Sequence, residues 1–306
     1  MRTSAGADEA GMRLDAALVA LAGVRSRAAA QRLLADGRVA VDGRRRPKSH
    51  RVEDGETIEL LPAPPAPEPE PARFEVVWED EHLLVIDKPP GVVVHPGAGR
   101  QRGTLAQALA GRADGGADPA RRGIVHRLDR DTSGLLVVAA SERAHAALSA
   151  MVRAHALRRS YLALVAGHPD ARAGTIDAAV GRDRGQRTRT STATDRPRPA
   201  VTHFELLERL PRTALLSVRL ETGRTHQIRA HLAAIGHPIC ADARYGGQGC
   251  GRRIGLARQF LHSARLAFSH PVTGEEVQCE SNPPVDLLRA LEAARRDPVP
   301  AGPDGG

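Results

Sequence analysis

Cysteine is scarce: Cys240, Cys250 and Cys279 are the only three in 306 residues. An odd number, at spacings that match no zinc pattern, supports neither a disulfide framework nor a metal knuckle, so isolated thiols are expected. Long apolar runs are missing too. The longest, such as ALVALAGV at 17–24, fall well short of the roughly 18 residues a membrane span needs, and the first ten residues hold no signal-type apolar core. A cytoplasmic protein without a membrane partner is expected. One tryptophan, two tyrosines and four phenylalanines leave very few positions that could supply a flat stacking surface. Lysine is nearly absent, occurring only at Lys48 and Lys88, so the basic character belongs to arginine.

What is present is apolar mass and positive charge. With 41% apolar residues the chain can bury a sizeable core, and its length suggests about two domains. The net charge of +8 points to a polyanionic partner, because basic side chains gain by releasing counterions condensed on a phosphate backbone. The charge is local. Nine basic residues lie between Arg25 and Arg51 against only Asp36 and Asp42, whereas EDGETIE at 53–59 is acidic.

The segment PAPPAPEPEPA at 62–72, with six prolines, reads as an extended spacer between a small first module and a large second one. In the first module Leu14, Leu18 and Leu21 recur at helical spacing, as do Ala30, Leu33 and Leu34. Val39 and Val41 then alternate with other residues before Asp42-Gly43, a hairpin turn signal. In the second, LLVI at 83–86 and Leu135–Ala139 read as buried strands, and KPPG as a rigid exit from the first. Ser141 is placed to cap a helix carrying Ala147, Leu148, Met151 and Val152 on one side. SYLALVAG and the alternating LSVRLE at 216–221 are further strands. GRDRGQRTRTSTATDRPRP at 181–199, with six arginines, reads as a basic loop. Ile228, Leu232 and Ile235 follow i, i+4, i+7 spacing and are expected to face the core. The fold class expected is α+β, with a mixed, mainly antiparallel sheet and flanking helices.

Three stretches carry the chemistry: HRLDRDTSGLLVVA at 126–139, RRSYLALVAG at 158–167, and ETGRTHQIRAHLAAIGHPICAD at 221–242. With LLVIDKPPGVVVHP at 83–96 and FLHSARLAFSHPVTGE at 260–275, they resemble, in order, the RluA family of pseudouridine synthases. The first module resembles the S4 RNA-binding domain through RLD at 13–15, SRAAAQRLLADGRVAVDG at 26–43 and DGETIEL, although the family prefers Asn where this chain has Asp42. The pairing places the chain beside the large-subunit ribosomal RNA enzymes of the RluC and RluD type. These resemblances imply a flexible tail at 1–11, an S4-like domain at 12–61, a linker at 62–72, a catalytic domain at 73–291 and a flexible tail at 292–306. A monomer acting on ribosomal RNA is expected.

The resemblance makes Asp129 the catalytic aspartate. Moving uracil from an N1 to a C5 glycosidic link requires something to attack or hold the nucleotide while the base turns, which an ionised carboxylate can do. Attack at ribose C1′, attack at uracil C6 and assisted elimination all remain open. A carboxylate kept charged in a closed pocket needs a nearby cation, and the resemblance assigns Arg229, the arginine of HQIR, to that place. By the same resemblance Tyr161 lies against the target base, Ile228 walls it, Arg127 fills the space the base vacates or contacts phosphate, and His126 is a further substrate-binding candidate. Thr132, Ser133 and Gly134 are expected to shape the turn that aims Asp129. Ser26, Arg27, Gln31 and Arg32 would line a helix presented to RNA, with Arg44, Arg45 and Arg46 beside it. Neither cofactor nor metal is implied: His226, His231 and His237 sit five and six apart, which does not put them on one helical face.

Two other classes fit part of the pattern. Asp129-Arg-Asp131-Thr132-Ser133 has the DxDxS/T form of a magnesium phosphatase loop, but His126 and Arg127 interrupt the apolar strand that should precede it, and no downstream acidic pair completes a magnesium site. A non-catalytic RNA-binding protein would account for the charge and the first module alone. It leaves Asp129, Tyr161 and Arg229 unexplained.

Overall fold

The computed structural model describes residues 2–24, 26–61, 72–96, 102–186 and 189–298. The chain divides into two units, Met1–Pro69 and Glu70–Gly306. Nearly all of the expected proline-rich linker, residues 62–71, lies outside the described residues.

The first unit has two helices, α1 (Leu14–Leu21) and α2 (Arg27–Ala35), and a sheet of β1 (Arg2–Ser4), β2 (Val39–Val41) and β3 (Thr57–Leu60) in the order β1-β3-β2, all antiparallel. Leu14 and Leu18 from α1, Ala30 from α2, and Val39, Val41, Val52 and Ile58 make its core. Ser26 caps α2 by accepting from the Ala29 amide (3.2 Å). Asp42 and Gly43 both adopt positive φ, and Val41 and Arg44 exchange backbone bonds across them, the geometry of a two-residue hairpin turn. The expected N-terminal tail is instead largely structured. Arg2–Ser4 pairs residue for residue with Glu59–Thr57, Ala5 is buried, and its amide donates to Glu56 O. Three polar residues gave no apolar alternation from which that edge strand could be read.

Asp15 sits in the core of this unit as a fully buried carboxylate. It accepts from Gln31 Nε2 (2.8 Å), from Arg27 Nη2 (3.3 Å) and from Arg13 Nε (3.2 Å).

The second unit is built on one large sheet. In chain order its strands are β4 (Glu75–Glu79), β5 (Leu83–Lys88), β6 (Ser133–Ala139), β7 (Arg158–Ala166), β8 (Ala173–Asp177), β11 (Val201–Arg209), β12 (Thr213–Leu220), β13 (Leu261–Ser269) and β14 (Glu276–Glu280), with a separate small ribbon, β9 (Gly181–Arg182) and β10 (Thr190–Ser191), before β11. The large sheet runs β4-β5-β6-β13-β7-β12-β11-β8, with β14 also on β13. Every pairing is antiparallel except β6 with β13, where Ser133 and Gly134 lie beside His262 and Ser263. Gly134, at φ 110°, is required there: a Cβ would come within 2.2 Å of Ser263 O.

Both faces of the sheet centre are covered, which is why β5 and β6 read as unbroken apolar runs. On one face Leu84, Ile86, Leu136, Val138, Ala163, Leu216 and Val218 join a core with Ile228 and Leu232 of α5 (Gln227–Ala234) and Leu287, Ala290 and Ala294 of α7 (Val285–Arg296). Short helices α3 (Leu105–Ala108) and α6 (Gln248–Arg253) add Leu105 and Cys250 to the same core. On the other face Leu83, Val85, Leu135 and Val137 pack with α4 (Glu142–Arg153). Ser141 caps α4 as expected, accepting from the Ala144 amide (3.2 Å), but the buried seam is Ala144 and Leu148 rather than Ala147.

Four further expectations are corrected. Ile235 ends α5 as its C-cap residue and stays 37% exposed, so the apolar stripe stops at Leu232. The expected C-terminal tail begins inside α7, whose Ala294 is fully buried; its many charged residues lie on the solvent side. The basic loop contains the β9–β10 ribbon. Cys240 and Cys250 are joined in a disulfide, their Cα atoms 5.1 Å apart, because the chain turns back between them; Cys279 remains a buried thiol.

The bonds to Asp15, that from Gln31 foremost, hold its carboxyl at about 2 against an ordinary 3.8. A depressed folded-state pKa stabilises above the unfolded value and loses that contribution as pH falls through the folded one. Hydrogen-exchange protection in residues 14–35 of the full-length protein should therefore drop on acidification from about pH 4 to about pH 2. Asp15→Asn should lower protection already at pH 5 and flatten that dependence.

Candidate active site

The stretch from His126 to Ser133 enters β6 as a loop pinned at several points. His126 Nε2 accepts from the Val137 amide (3.1 Å), fixing the ring beneath the strand. The Thr132 amide donates to Asp129 O (3.1 Å), closing a turn at the aspartate. Lys88, fully buried at the end of β5, donates to Arg130 O (3.0 Å) as well as to Pro89 O and Val92 O, so the KPPG exit and this loop share one ammonium. Burial draws the Lys88 pKa down to about 7, against the pull of Asp131 and Asp129. Arg258 Nη1 donates to Asp131 O (2.9 Å). With its backbone held, the loop presents Asp129 into the pockets beside α5.

Neither arginine neighbouring Asp129 in sequence is its partner. Arg130 pairs with Asp131 at the surface (2.9 Å), and Arg127 Nη1 donates to His95 Nε2 (3.3 Å). The cation that meets Asp129 is Arg229, one hundred positions away, whose Nη1 donates to Asp129 Oδ2 (2.9 Å). Arg229 is 7% exposed and turns its other two donors to Asp242: Nε to Oδ2 (2.6 Å) and Nη2 to Oδ1 (2.9 Å). Burial opposes the Arg229 charge, but the two carboxylates outweigh it and hold its pKa above the ordinary value. Asp242 is fully buried and also accepts from the Arg244 and Tyr245 amides (3.0 and 3.2 Å).

Tyr161 stands on β7 beside this pair, buried and in contact with Ser263; burial first of all raises its pKa. Tyr161, Ile228, Leu128, Leu261, Arg229 and Asp129 line a narrow pocket of about 50 Å³. A larger cavity of about 440 Å³ adjoins it, sharing Asp129, Tyr161 and Arg127, and takes in His126 and His95. Burial, with Arg159 a second cause, lowers the His126 pKa to about 3, so this ring is neutral. Asp129, Arg229, Tyr161, Ile228, Arg127 and His126 are thus brought together.

Four residues of this centre escaped the sequence reading: Asp242, Tyr245, Lys88 and His226. Tyr245 Oη donates to Thr190 O (2.8 Å) and accepts from its amide, tying the β9–β10 ribbon to the site, while Arg229 lies 5.0 Å over its ring. His226 precedes α5 at φ 54° and approaches Asp129 Oδ1 (3.9 Å). Tyr245 had one usable signal, being the second of only two tyrosines. The other two histidines of the motif go elsewhere, His231 to Thr202 and Ala178 O, His237 to Ala166 O.

In the first unit Gln31, Arg32 and Arg46 line a groove with Lys48. Ser26 uses its hydroxyl as the α2 cap, and Arg27 reaches back to Asp15 while leaving 59% of its side chain exposed. Arg45 lies against Gly37 and Arg44 closes the turn after β2.

Comparison with known proteins bears on the family and the domains. The family described as RNA pseudouridylate synthase matches residues 82–234 and the S4 domain matches residues 12–58. A Mycobacterium bovis protein described as an uncharacterized RNA pseudouridine synthase is 42% identical over 295 residues, covering 94% of this chain and 95% of its own length. The ribosomal large subunit pseudouridine synthase D of Zymomonas mobilis is 40% identical, covering 90% and 92%. Among solved structures, human RNA pseudouridylate synthase domain containing 1 is 26% identical with a TM-score of 0.56, covering 75% of this chain and 98% of its own.

Arg229→Met would strand the buried Asp242 carboxylate. Urea denaturation of the second unit should show a loss of about 3–5 kcal/mol. Asp129→Asn keeps an acceptor for Arg229 and leaves Asp242 paired, so its cost should stay within about 2 kcal/mol.

Proposed function

The chain belongs to the RNA pseudouridylate synthase family, with an S4 domain ahead of the catalytic unit, and we propose that it isomerises uridines of large-subunit ribosomal RNA with Asp129 as nucleophile. The observation that carries this reading is the carboxylate of Asp129, held by Arg229 at 2.9 Å where two pockets meet beside Tyr161.

A uridine inside a stacked RNA strand is out of reach of such a carboxylate, so the nucleotide has to be turned out of the stack. The narrow pocket suits a planar base: Tyr161 offers an aromatic face and Ile228 an apolar wall, and stacking on such a face offsets part of the unstacking cost. Arg127, exposed at the pocket mouth, is placed to fill the gap the base leaves or to meet a phosphate. His126 supports the loop from below and borders the larger cavity. Arg229 aims Asp129, and the reaction then proceeds through attack at C1′, attack at C6 or assisted elimination, each ending in reattachment through C5. In all three the N1–C1′ bond breaks and a C5–C1′ bond forms, C5 gives up its hydrogen as a proton and N1 takes one up, and none changes the oxidation state of the nucleoside.

The groove of Gln31, Arg32 and Arg46, with Ser26, Arg27, Arg44 and Arg45 nearby, serves in this reading as the anchor to folded RNA, working through phosphate contacts and shape. The protein acts as a cytoplasmic monomer. The kinship to synthase D enzymes supports ribosomal RNA as the substrate.

Tritium release from large-subunit ribosomal RNA labelled at uridine C5 tests the proposal. The wild-type protein should release tritium, and Asp129→Asn should bind the same RNA yet release none, because the amide is a poor nucleophile. Turnover by that variant would remove Asp129 from its role. Tyr161→Phe keeps the stacking face; residual release would leave the phenol outside proton transfer, whereas its loss would put it there.

A further inference from the structure

Among the described residues of the second unit two arginines are buried, and they are treated oppositely. Arg229 has every side of its guanidinium paired with a carboxylate. The side chain of Arg159, a residue 4% exposed on β7 two positions before Tyr161, has no ion-pair or hydrogen-bond partner among the described residues, and its Nε is sealed from solvent without an acceptor. A guanidinium nitrogen withdrawn from water and left without an acceptor is a cost that folding does not return. An anion that arrives with a ligand would return it.

The surroundings favour such an anion. Arg159 borders the larger cavity together with Arg121, Arg127, Arg153 and Arg224, and among the described residues the one acidic residue of its lining is Asp129. Gly223 backs the guanidinium closely: a Cβ at that position would lie 2.9 Å from Arg159 Nη1. The glycine of ETGR therefore makes room for the arginine of RRSY. Because Asp129 and Tyr161 also line the cavity, an anion seated there stands beside the reacting nucleoside. A uridine in a strand brings phosphodiesters with it on both sides, and the planar fork of an arginine matches their oxygens.

We propose that this cavity is a phosphodiester subsite for the strand flanking the target uridine, with Arg159 as the residue that receives the phosphate. The proposal rests on the reading that Asp129 acts on a uridine in RNA. It gives the orphaned cation its partner, and it makes Arg159 a substrate-binding residue rather than a member of the core.

The test uses the full-length protein and a large-subunit ribosomal RNA transcript, with binding and tritium release each measured over a salt series for wild type, Arg159→Gln and Arg159→Lys. Arg159→Gln should weaken binding and raise KM by on the order of tenfold or more. It should also make the dependence of log affinity on log salt shallower by about 0.7, the contribution of one phosphate on a single strand. Its Tm should equal or exceed the wild-type value, since an unpaired buried charge has been removed. Arg159→Lys should restore most of the slope. An unchanged salt slope overturns the proposal whatever happens to the rate, and so does an Arg159→Gln protein that fails to fold or melts below wild type while Arg159→Lys binds normally, because Arg159 is then structural. If the wild-type protein binds the transcript but releases no tritium, the catalytic reading fails, while the binding slopes still decide the assignment of Arg159.

Discussion

One guanidinium holds the candidate site together. Arg229 spans two carboxylates of different standing: Asp242, fully buried and gripped through two donors, and Asp129, reached through the third and left facing the pockets. The bidentate side fixes the plane of the fork and so fixes where Nη1 points. Asp242 is in turn aimed by the Arg244 and Tyr245 amides, in a segment closed by the Cys240–Cys250 disulfide. The position of the Asp129 carboxylate thus depends on a chain turn that lines neither pocket. It also depends on α5 starting where it does, with His226 in a left-handed conformation just ahead of it.

The sheet supplies the rigidity this arrangement needs. β6 is buried on both faces and joined to β13 by the sheet's one parallel pairing, where Gly134 lets the backbones close up. The loop ahead of β6 is fastened from three directions, by Lys88 from β5, by His126 from below and by Arg258 near α7. Arg229 meets Asp129 from α5, with a guanidinium that is itself secured by Asp242.

Much of this was legible in the sequence, and the reasons for the misses are physical. β5 and β6 were readable because a strand covered on both faces must be apolar throughout, and the α4 start because a serine cap is a local signal. Asp129, Tyr161 and Arg229 were reached through motif order, but no spacing rule announces that positions 129 and 229 meet. Asp242, Lys88 and Arg159 were missed because each looks like an ordinary surface residue until burial is known. The strand at Arg2–Ser4 is too short and polar to show a pattern, and the Cys240–Cys250 link depends on a turn between them that an odd cysteine count does not suggest. Arg27 and Gln31 matched a motif for RNA contact, and only the packed unit displays their bonds to Asp15.

The central claim is that Asp129, held by Arg229, is the group that meets the nucleoside. A structure of the protein with RNA carrying 5-fluorouridine at a modified position tests it most directly. The account predicts an Asp129 oxygen bonded to, or within about 3–3.5 Å of, the ribose C1′ or the uracil C6, with Arg229 still bridging to Asp242. A flipped base whose nearest carboxylate belongs to another residue, or an Arg229 swung off Asp129 onto a phosphate, would contradict it.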